Sequence, residues 1–282
     1  METGLKTIQK SNSLNKHNSK GLSIQISLSG LSFCILNKRT NIIEHLKRKA
    51  FEKKVSPFET LEHLITSLNT NTIFDQSFQT VLLIYQNELA TNVPKPLFNE
   101  DNSADYLKFN AKILNTDFIA YDEISINESI NVFVPYVNIN NYIFDRFGSF
   151  EYKHASTILI ESLLKKEAHS KELKLYVNVG RDHFEIVVIE NGQLMFYNSF
   201  VYQTKEDLIY FILFTVEQLK LDPETIPITL IGDLTKDDER YEIIYKYIRF
   251  VDFIGPFHGY KFEEKQMPKT PYSDYIILNS FN

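Results

Sequence analysis

The sequence predicts a mixed α/β protein made of two halves, each with a mixed sheet flanked by helices. Short runs that alternate apolar and polar residues, such as 22–28 and 31–37, are typical of half-buried strands. Longer segments between these runs carry helix start signals and a helical spacing of apolar residues. The order of strands and helices in the first half recurs in the second, which predicts an internal duplication.

Length and composition limit the possible classes of protein. The chain has 282 residues, of which 43% are hydrophobic and 23% charged, and its net charge is −6. This length corresponds to one large domain or two smaller ones. A single cysteine, Cys34, excludes an internal disulfide, and residues 1–30 lack a secretory signal pattern, so we expect a cytoplasmic protein. No apolar run approaches about 18 residues, so no membrane span is predicted.

The first half is predicted over residues 21–168, after a polar and disordered tail over residues 1–20. A helix should begin after Ser56, because Pro57 suits the first helical turn and Glu59 completes a capping box. The predicted strands span 22–28, 31–37, 41–49, 79–86, 131–137 and 150–155, and the helices span 56–68, 138–147 and the segment around 162–165.

An insertion interrupts this half near residues 90–126. Pro94 and Pro96 lie close together there, and the surrounding residues show no sustained periodicity. The sequence therefore predicts irregular structure between the central strand and the last strands of the first half.

The second half is predicted over residues 169–282 and repeats the same order of elements. Asn191 and Gly192 form a hairpin turn signal, and Thr204 is a helix N-cap signal. The apolar segment 275–281 is expected to pack back onto this half. The predicted strands span 174–180, 183–189, 193–201, 228–233 and 250–255, and the helices span 204–219 and 235–248.

Motifs for several enzyme classes are missing. No glycine is followed by lysine, which excludes a P-loop, and no two glycines are separated by one residue, which excludes a GxGxxG motif. The histidines include no pair at i, i+4 spacing, and one cysteine cannot form a thiolate site, so no sequence-local zinc site is predicted. Ser162 matches an SxxK pattern, but it lies in an amphipathic helical segment, which favours a structural role.

The twice-repeated order of three strands, helix, strand, helix and strand resembles that of the actin-like ATPase superfamily. More narrowly, the chain is similar to an uncharacterised bacterial family of unknown function with this fold, from about Leu22 to the C-terminus. The resemblance implies two ribonuclease-H-like halves that hold a nucleotide between them. In the superfamily, the turn between the first two strands of each half carries DxG, whose amides and carboxylate manage phosphates and hydrated Mg²⁺.

Both turn motifs depart from that pattern. The first half reads IQISLSG, which puts Ser27 at the aspartate position and Ser29 at the glycine position, with Gly30 one position late. The second half reads YVNVGRD, where Asn178 replaces the aspartate and Gly180 matches the glycine. Neutral side chains hold magnesium-bound water more weakly than carboxylates, which argues against ATP hydrolysis and against a metal-dependent nuclease.

The nucleoside-side motif of the superfamily, a strand that ends in two glycines, corresponds to ITLIGD. Gly232 matches the first glycine, and Asp233 replaces the second with a carboxylate that repels phosphates. The resemblance implies a degenerate nucleotide cleft with no catalytic residue and no metal ligand, and we expect no cofactor; binding of ATP with Mg²⁺ without turnover stays open. The positions of this cleft are Ser27, Ser29, Gly30, Asn178, Gly180, Gly232 and Asp233.

Other acidic residues offer an alternative chemistry. Asp182 and Glu185 flank the second turn and could act as acid and base, but a turn residue and an outward-facing strand residue are the better interpretation. The acids at 237–239 are interpreted as part of the first turn of the helix over 235–248, with Asp238 at its capping-box position.

Two further segments bear on partners. The basic run 47–54 could bind nucleic acid, but the chain as a whole is acidic, and a charged strand end usually discourages edge pairing, so nucleic acid is not an expected partner. The helix over 204–219 is apolar on nearly all sides, which packing within the fold, a protein partner or a homodimer would explain.

Together these observations predict a noncatalytic actin-like scaffold or regulator that acts through protein contacts. The alternatives are a nucleotide-binding switch, ATPase or phosphotransferase of the same superfamily, and a nucleic-acid-associated module that uses the run 47–54.

Overall fold

The computed structural model describes residues 19–108, 113–114 and 116–282. The prediction of a disordered tail over residues 1–20 falls outside the described residues as far as residue 18. The first strand begins at Lys20, two positions before the predicted start.

The described chain forms two compact units. Unit 1 contains the chain up to Ile158 together with Gly259–Met267 and Ile276–Asn282, and unit 2 contains Leu159–His258 and Pro268–Tyr275. Two segments of the region 169–282, which the sequence predicts as the second half, therefore belong to unit 1. They are Gly259–Met267 and Ile276–Asn282.

The predicted strands and helices occur in the predicted order, and further short strands and helices accompany them. The strands are β1 (Lys20–Ser27), β2 (Gly30–Asn37), β3 (Ile42–Ala50), β4 (Thr80–Tyr85), β5 (Ala90–Pro94), β6 (Ala120–Ile124), β7 (Ser129–Phe133), β8 (Glu151–His154), β9 (Lys174–Val179), β10 (His183–Glu190), β11 (Gln193–Val201), β12 (Pro227–Gly232), β13 (Phe250–Phe253) and β14 (Lys261–Phe262). The helices are α1 (Pro57–Asn69), α2 (Ser103–Lys108), α3 (Val137–Phe147), α4 (Ala155–Glu167), α5 (Lys205–Gln218), α6 (Glu239–Tyr247) and α7 (Tyr275–Asn279). Within the described ranges, no helix combines the length and the apolar character needed to cross a membrane.

The two units share one sheet topology. The strand order is β14-β3-β2-β1-β4-β8 in unit 1 and β11-β10-β9-β12-β13 in unit 2. In each unit the first three strands pair antiparallel, and the first strand pairs parallel with the fourth, which pairs parallel with the next strand. The predicted fold class, a duplicated α/β protein with mixed sheets, is confirmed.

Local helix signals act as predicted at two of the long helices. Ser56 and Glu59 form a reciprocal capping box at the start of α1, and Thr204 and Asp207 form another at the start of α5. Helix α6 differs, because it begins only at Glu239 and Asp238 is its N-cap rather than a residue inside its first turn. The predicted start at 235 is therefore wrong.

The core of unit 2 lies between its sheet and helices α5 and α6. Val177 and Phe184 from the sheet are fully buried with Leu208, Ile212 and Ile244 from the two helices. Burial of each such side chain stabilises the fold by about 1.5–3 kcal/mol relative to exposure. This packing fixes where the ends of β9 and β12 lie relative to the start of α6.

The described residues of the insertion near 90–126 include two strands and a short helix, so the interpretation of this part as irregular is wrong. Strands β5, β7 and β6 form a three-stranded antiparallel sheet with its own small core, to which Val93, Leu107 and Val132 contribute. Pro94 is tolerated because it is the last residue of an edge strand, where a missing amide hydrogen costs little.

The C-terminal segment lies elsewhere than the predicted packing of 275–281 onto the second half. Residues Ile276–Asn282 belong to unit 1 rather than to the second half. The hydroxyls of Ser280 and Ser23 lie 2.6 Å apart, which ties this segment to β1. Strand β14, two residues long, pairs parallel with the start of β3.

Candidate functional site

The turn between β1 and β2, here called the first turn (Ser27–Gly30), is closed by its own side chains. The Ser27 hydroxyl donates to the Gly30 carbonyl at 3.0 Å and accepts the Ser29 amide at 3.3 Å. Gly30 lies where β3 approaches closely, because a Cβ there would stand 2.7 Å from the Lys49 carbonyl oxygen. The hydroxyl at the predicted aspartate position is therefore committed to its own hairpin.

The turn between β9 and β10, here called the second turn (Val179–His183), is held by distant segments. The Gly180 amide donates to the His183 carbonyl at 2.9 Å, and a Cβ on Gly180 would stand 3.0 Å from the His183 ring. The Gly180 carbonyl accepts the Tyr202 hydroxyl at 2.7 Å and a guanidinium nitrogen of Arg240 at 3.2 Å. Residues that follow β11 and begin α6 thus fix this turn.

Arg240 organises this side of unit 2. Its guanidinium donates two hydrogen bonds, of 2.9 and 2.6 Å, to the Asp238 carboxylate. Lysine cannot reproduce this bidentate geometry. It also donates to the Tyr202 hydroxyl at 2.9 Å and to the Asp233 carbonyl. The bonds to Asp238 raise the pKa of Arg240, and they lower the pKa of Asp238 below its ordinary range. The pair is therefore ionised at neutral pH.

Asn178 donates to a buried carboxylate. Its Nδ2 lies 3.0 Å from Glu185 Oε2, and the two residues are only 7% and 3% exposed. The other Glu185 oxygen lies 3.8 Å from His183 Nε2, and His183 Nδ1 lies 3.0 Å from Asp182 Oδ1. The interpretation of Glu185 as outward-facing is wrong, because β10 is buried on both faces. A lone acid inside the apolar run FEIVVI was the signal for this residue.

Gly232 and Asp233 lie beside the second turn at the end of β12. Gly232 has a φ of +99°, and a Cβ there would stand 2.4 Å from the Val179 carbonyl oxygen and 3.0 Å from Asn178 Oδ1. The Gly232 amide donates to the Tyr272 carbonyl at 3.0 Å, and the Asp233 amide donates to the Val179 carbonyl at 2.8 Å. Backbone conformation and packing inside unit 2 therefore explain why this position requires glycine.

The predicted positions thus form two groups, one in each unit. Asn178, Gly180, Gly232 and Asp233 meet in unit 2, whereas the serines and the glycine of the first turn meet in unit 1. A magnesium-bound nucleotide needs acids for the hydrated metal and backbone amides for the phosphates.

That requirement is not met by these two groups. The two aspartate positions are neutral, and the amides of Ser29, Gly180, Gly232 and Asp233 all donate within the protein. Among the described residues, no three His, Cys, Asp or Glu side chains cluster as a metal site. As they stand, the two groups do not fit a magnesium nucleotide.

An open pocket of about 560 Å³ lies in unit 2 at the N-terminal ends of α5 and α6. Its charged lining is balanced, with three basic and three acidic side chains. Lys205 pairs with Glu239 across it at 2.7 Å. None of the predicted cleft positions lines this pocket. Its lining residues are Arg181, Tyr202, Gln203, Thr204, Lys205, Glu206, Asp238, Glu239 and Arg240.

The remaining candidates have structural explanations. Ser162 donates to the Leu159 carbonyl inside α4 at 2.9 Å, and Cys34 is fully buried on β2. The basic run 47–54 covers the end of β3 and the loop that follows, where Lys54 pairs with Glu88 at 2.8 Å.

Comparison with known proteins identifies the family. The sequence profile of a family described as "Protein of unknown function (DUF3822)" matches residues 9–251. The chain belongs to this family. No curated protein has a significantly similar sequence.

Solved structures similar to this DUF3822 chain share its architecture. A Bacteroides thetaiotaomicron protein "with actin-like ATPase fold and unknown function" has a TM-score of 0.77 at 23% identity, over 89% of this chain and 96% of that chain. A chain of the PilM-PilN type IV pilus biogenesis complex has a TM-score of 0.60 at 11% identity, over 92% of this chain and 96% of that chain. These likenesses confirm the actin-like ATPase fold that the sequence predicted.

Proposed function

We propose that this protein is a noncatalytic scaffold or regulator with an actin-like fold, and that it acts through contacts with other proteins. The observation that carries the proposal is the commitment of both aspartate positions to internal hydrogen bonds. Ser27 donates to its own hairpin at 3.0 Å, and Asn178 donates to Glu185 at 3.0 Å. Neither side chain offers a negative charge to a hydrated metal ion.

Phosphoryl transfer depends on positioning and on neutralising the charge of the phosphates, for which metal ions are the main agents. Without acids at Ser27 and Asn178, a magnesium ion loses the groups that would hold its waters. The backbone amides of Gly180 and Gly232 donate to carbonyls of unit 2, at 2.9 and 3.0 Å, so phosphates would have to displace these bonds. Both facts support a protein that has the actin-like fold and does not catalyse phosphoryl transfer.

The similarity to an assembly protein is in keeping with this role. The PilM-PilN chain with a TM-score of 0.60 belongs to a complex of proteins. An actin-like fold can therefore serve in an assembly, which is the kind of activity proposed here.

A nucleotide-dependent switch or phosphotransferase is the second candidate, and Glu185 is the observation that favours it. Its buried carboxylate lies 3.0 Å from the amide at the missing aspartate position and 3.8 Å from His183. Proton transfer between a carboxylate and an imidazole needs about 2.6–3.2 Å or one bridging water, so Glu185 and His183 act as an acid–base pair only after the 3.8 Å gap closes or a water bridges it. Glu185 would then supply the acid that Asn178 lacks.

Phosphate release from Mg-ATP by the full chain separates the two candidates. The variants are Asn178→Ala and Glu185→Gln, with Glu190→Gln at the end of the same strand as a matched control for the loss of a carboxylate. We expect the wild type to release no more phosphate than the buffer. Release that Asn178→Ala and Glu185→Gln abolish and Glu190→Gln leaves intact would replace the scaffold with the second candidate.

A further inference from the structure

Helix α5 exposes two aromatic side chains on the face opposite to its buried one. Leu208 and Ile212 are fully buried, whereas Tyr210 is 61% exposed and Phe214 is 45% exposed. The two exposed rings lie four positions apart, so they share one face of the helix, and they stack with their centroids 6.1 Å apart. A surface helix normally carries polar residues on this face, and exposed apolar patches in soluble proteins commonly mark contact surfaces.

The aromatic pair is held in place by its neighbours. Phe211 contacts the Tyr210 ring edge-on at 5.3 Å and stacks on Phe200 of β11 at 5.0 Å. Phe200 in turn stacks on the buried Phe184 of β10 at 5.2 Å. A row of rings therefore connects the exposed pair to the core of unit 2. Side chains that are already fixed lose little conformational entropy on binding, which suits them to anchor a partner.

Acidic side chains lie at both ends of the aromatic pair. Glu206 precedes Tyr210 by four positions and Glu217 follows Phe214 by three, so all four residues lie on one side of α5. These four residues are called the α5 stripe, which is about 16 Å long at 1.5 Å per residue. Both glutamates are exposed, and neither forms an ion pair within the part of the chain that the structure describes.

The elements around the α5 stripe leave its charge negative. Residues 205–222 contain two lysines and four acids, and Lys205 pairs with Glu239 of α6 at 2.7 Å. Lys220 lies beyond the end of the helix. Strand β11 has no charged residue, helix α6 has two acids and two bases, and the pocket at the start of α5 is balanced. The α5 stripe is therefore an apolar centre between two negative ends.

This charge pattern selects the occupant. A second copy that packed its α5 against the stripe would bring glutamates against glutamates in either orientation, because the acids lie at both ends. Anionic membranes and nucleic acids would be repelled for the same reason. A helix of another protein, with basic residues about three turns apart and apolar residues between them, would complement both the charges and the aromatic centre.

We propose that the α5 stripe binds an amphipathic helix of a partner protein. Apolar side chains of that helix cover Tyr210 and Phe214, and its lysines or arginines pair with Glu206 and Glu217. Two helices packed side by side have their axes about 8–10 Å apart, a distance that long basic side chains can span. This inference names the contact surface of the scaffold proposed above and rests on that proposal.

Photochemical cross-linking in the cells that produce the protein tests this surface. The full chain carries benzoylphenylalanine in place of the exposed Gln218, four positions from Phe214 and outside the stripe, and mass spectrometry identifies the segment that it joins. We expect a segment of another protein in which lysines or arginines flank apolar residues. The double variant Glu206→Lys with Glu217→Lys should lower the cross-linking yield by at least about 10-fold, because like charges then meet.

Controls separate this surface from others. Glu263→Lys with Glu264→Lys reverses two exposed acids of unit 1 and should leave the yield unchanged. Benzoylphenylalanine in place of Phe58, which is 74% exposed in unit 1, should not join the same segment. The milder pair Glu206→Gln with Glu217→Gln should lower the yield in the same direction as the lysine pair, and thermal unfolding of each variant shows that it folds.

Other results overturn the proposal. A chain that forms no cross-link at position 218 does so, and so does a cross-link to a second copy, to residues 1–18 of the same chain, or to a segment without basic residues. An unchanged yield for the lysine pair also contradicts it. Phosphate release measures the proposed function separately, so a failure of the α5 stripe and a failure of the scaffold role can be told apart.

Discussion

The first and second turns occupy equivalent places in the two sheets, yet they are closed in different ways. In unit 1 the Ser27 hydroxyl bonds to Gly30, three positions along the chain. In unit 2 the Gly180 carbonyl is held by Tyr202 and Arg240, which are 22 and 60 positions away. The shared topology fixes where the turns lie, and unrelated side chains fix how each one closes.

This difference indicates how a duplicated frame diverges. A turn closed by its own hydroxyl can change with little effect on the rest of its unit. A change in a turn that is bonded to distant segments affects the rest of its unit. Arg240 contacts the second turn, the Tyr202 hydroxyl and the Asp233 carbonyl together. We therefore expect substitutions at the second turn to destabilise the protein more than substitutions at the first.

The largest expected effect is that of Gly232→Ala. A Cβ at this φ of +99° would stand 2.4 Å from the Val179 carbonyl oxygen, so both backbone strain and a steric clash oppose it. We expect the free energy of unfolding to fall by about 2–4 kcal/mol in chemical denaturation. Gly255→Ala, with nothing within 4 Å of its Cβ, is the control. Equal stability of the two variants would contradict the packing described for β12.

The next largest effect should come from Arg240→Ala. Loss of the charged hydrogen bonds to Asp238, Tyr202 and the second turn should cost about 1.5–3 kcal/mol. Arg240→Lys should recover only part of this, because lysine lacks the planar fork. The control is Arg249→Ala, an exposed residue whose ion pair with Glu224 at 3.5 Å should contribute at most about 1 kcal/mol. Full recovery by lysine would show that charge alone holds the turn.

Acid should weaken unit 2 through Asp238. Hydrogen bonds from Arg240 lower the pKa of Asp238 in the folded state, so its contribution is present above the ordinary aspartate value of about 3.9. That contribution is lost as the pH falls through the lower folded pKa. Denaturation at neutral and acid pH should therefore show a smaller pH dependence in Asp238→Asn than in the wild type. Identical dependences would exclude the pair as an acid-sensitive element.

Ser27→Ala should have the smallest effect. It removes one neutral hydroxyl that bonds within the first turn, which should cost about 0.5–1.5 kcal/mol in chemical denaturation. Ser29→Ala, in the same turn, should lower the free energy of unfolding by less, because the Ser29 hydroxyl makes a longer contact, 3.2 Å, with the Ser27 hydroxyl. A loss for Ser27→Ala as large as that for Arg240→Ala would remove the distinction between the turns.

Local signals made much of the fold predictable. The capping boxes at Ser56 and Thr204 and the alternation in β1 and β2 depend on neighbouring residues, so the sequence alone reveals them. The sequence does not reveal the sheet of the insertion, because β5 and β6 are short, partly polar edge strands around the buried β7. Their pairing is a long-range property with little local signal.

The candidate site was predictable only in part. Strand matching placed Asn178, Gly180 and Gly232 near one another, and the structure brings them together. The prediction that Glu185 faces outward is wrong, because alternation indicates exposure only when one face of a sheet meets water. The sequence does not indicate the role of Arg240, because that role comes from hydrogen bonds to residues up to 60 positions away.

We propose that the turn residues do not bind a magnesium nucleotide, and thermal unfolding tests this proposal most directly. A ligand at about a hundred times its Kd stabilises a protein by about 2.7 kcal/mol, and each kcal/mol shifts the midpoint by about 2–4 °C at this size. We predict that millimolar ATP with Mg²⁺ leaves the midpoint unchanged. A shift of several degrees that Asn178→Ala abolishes would contradict the account.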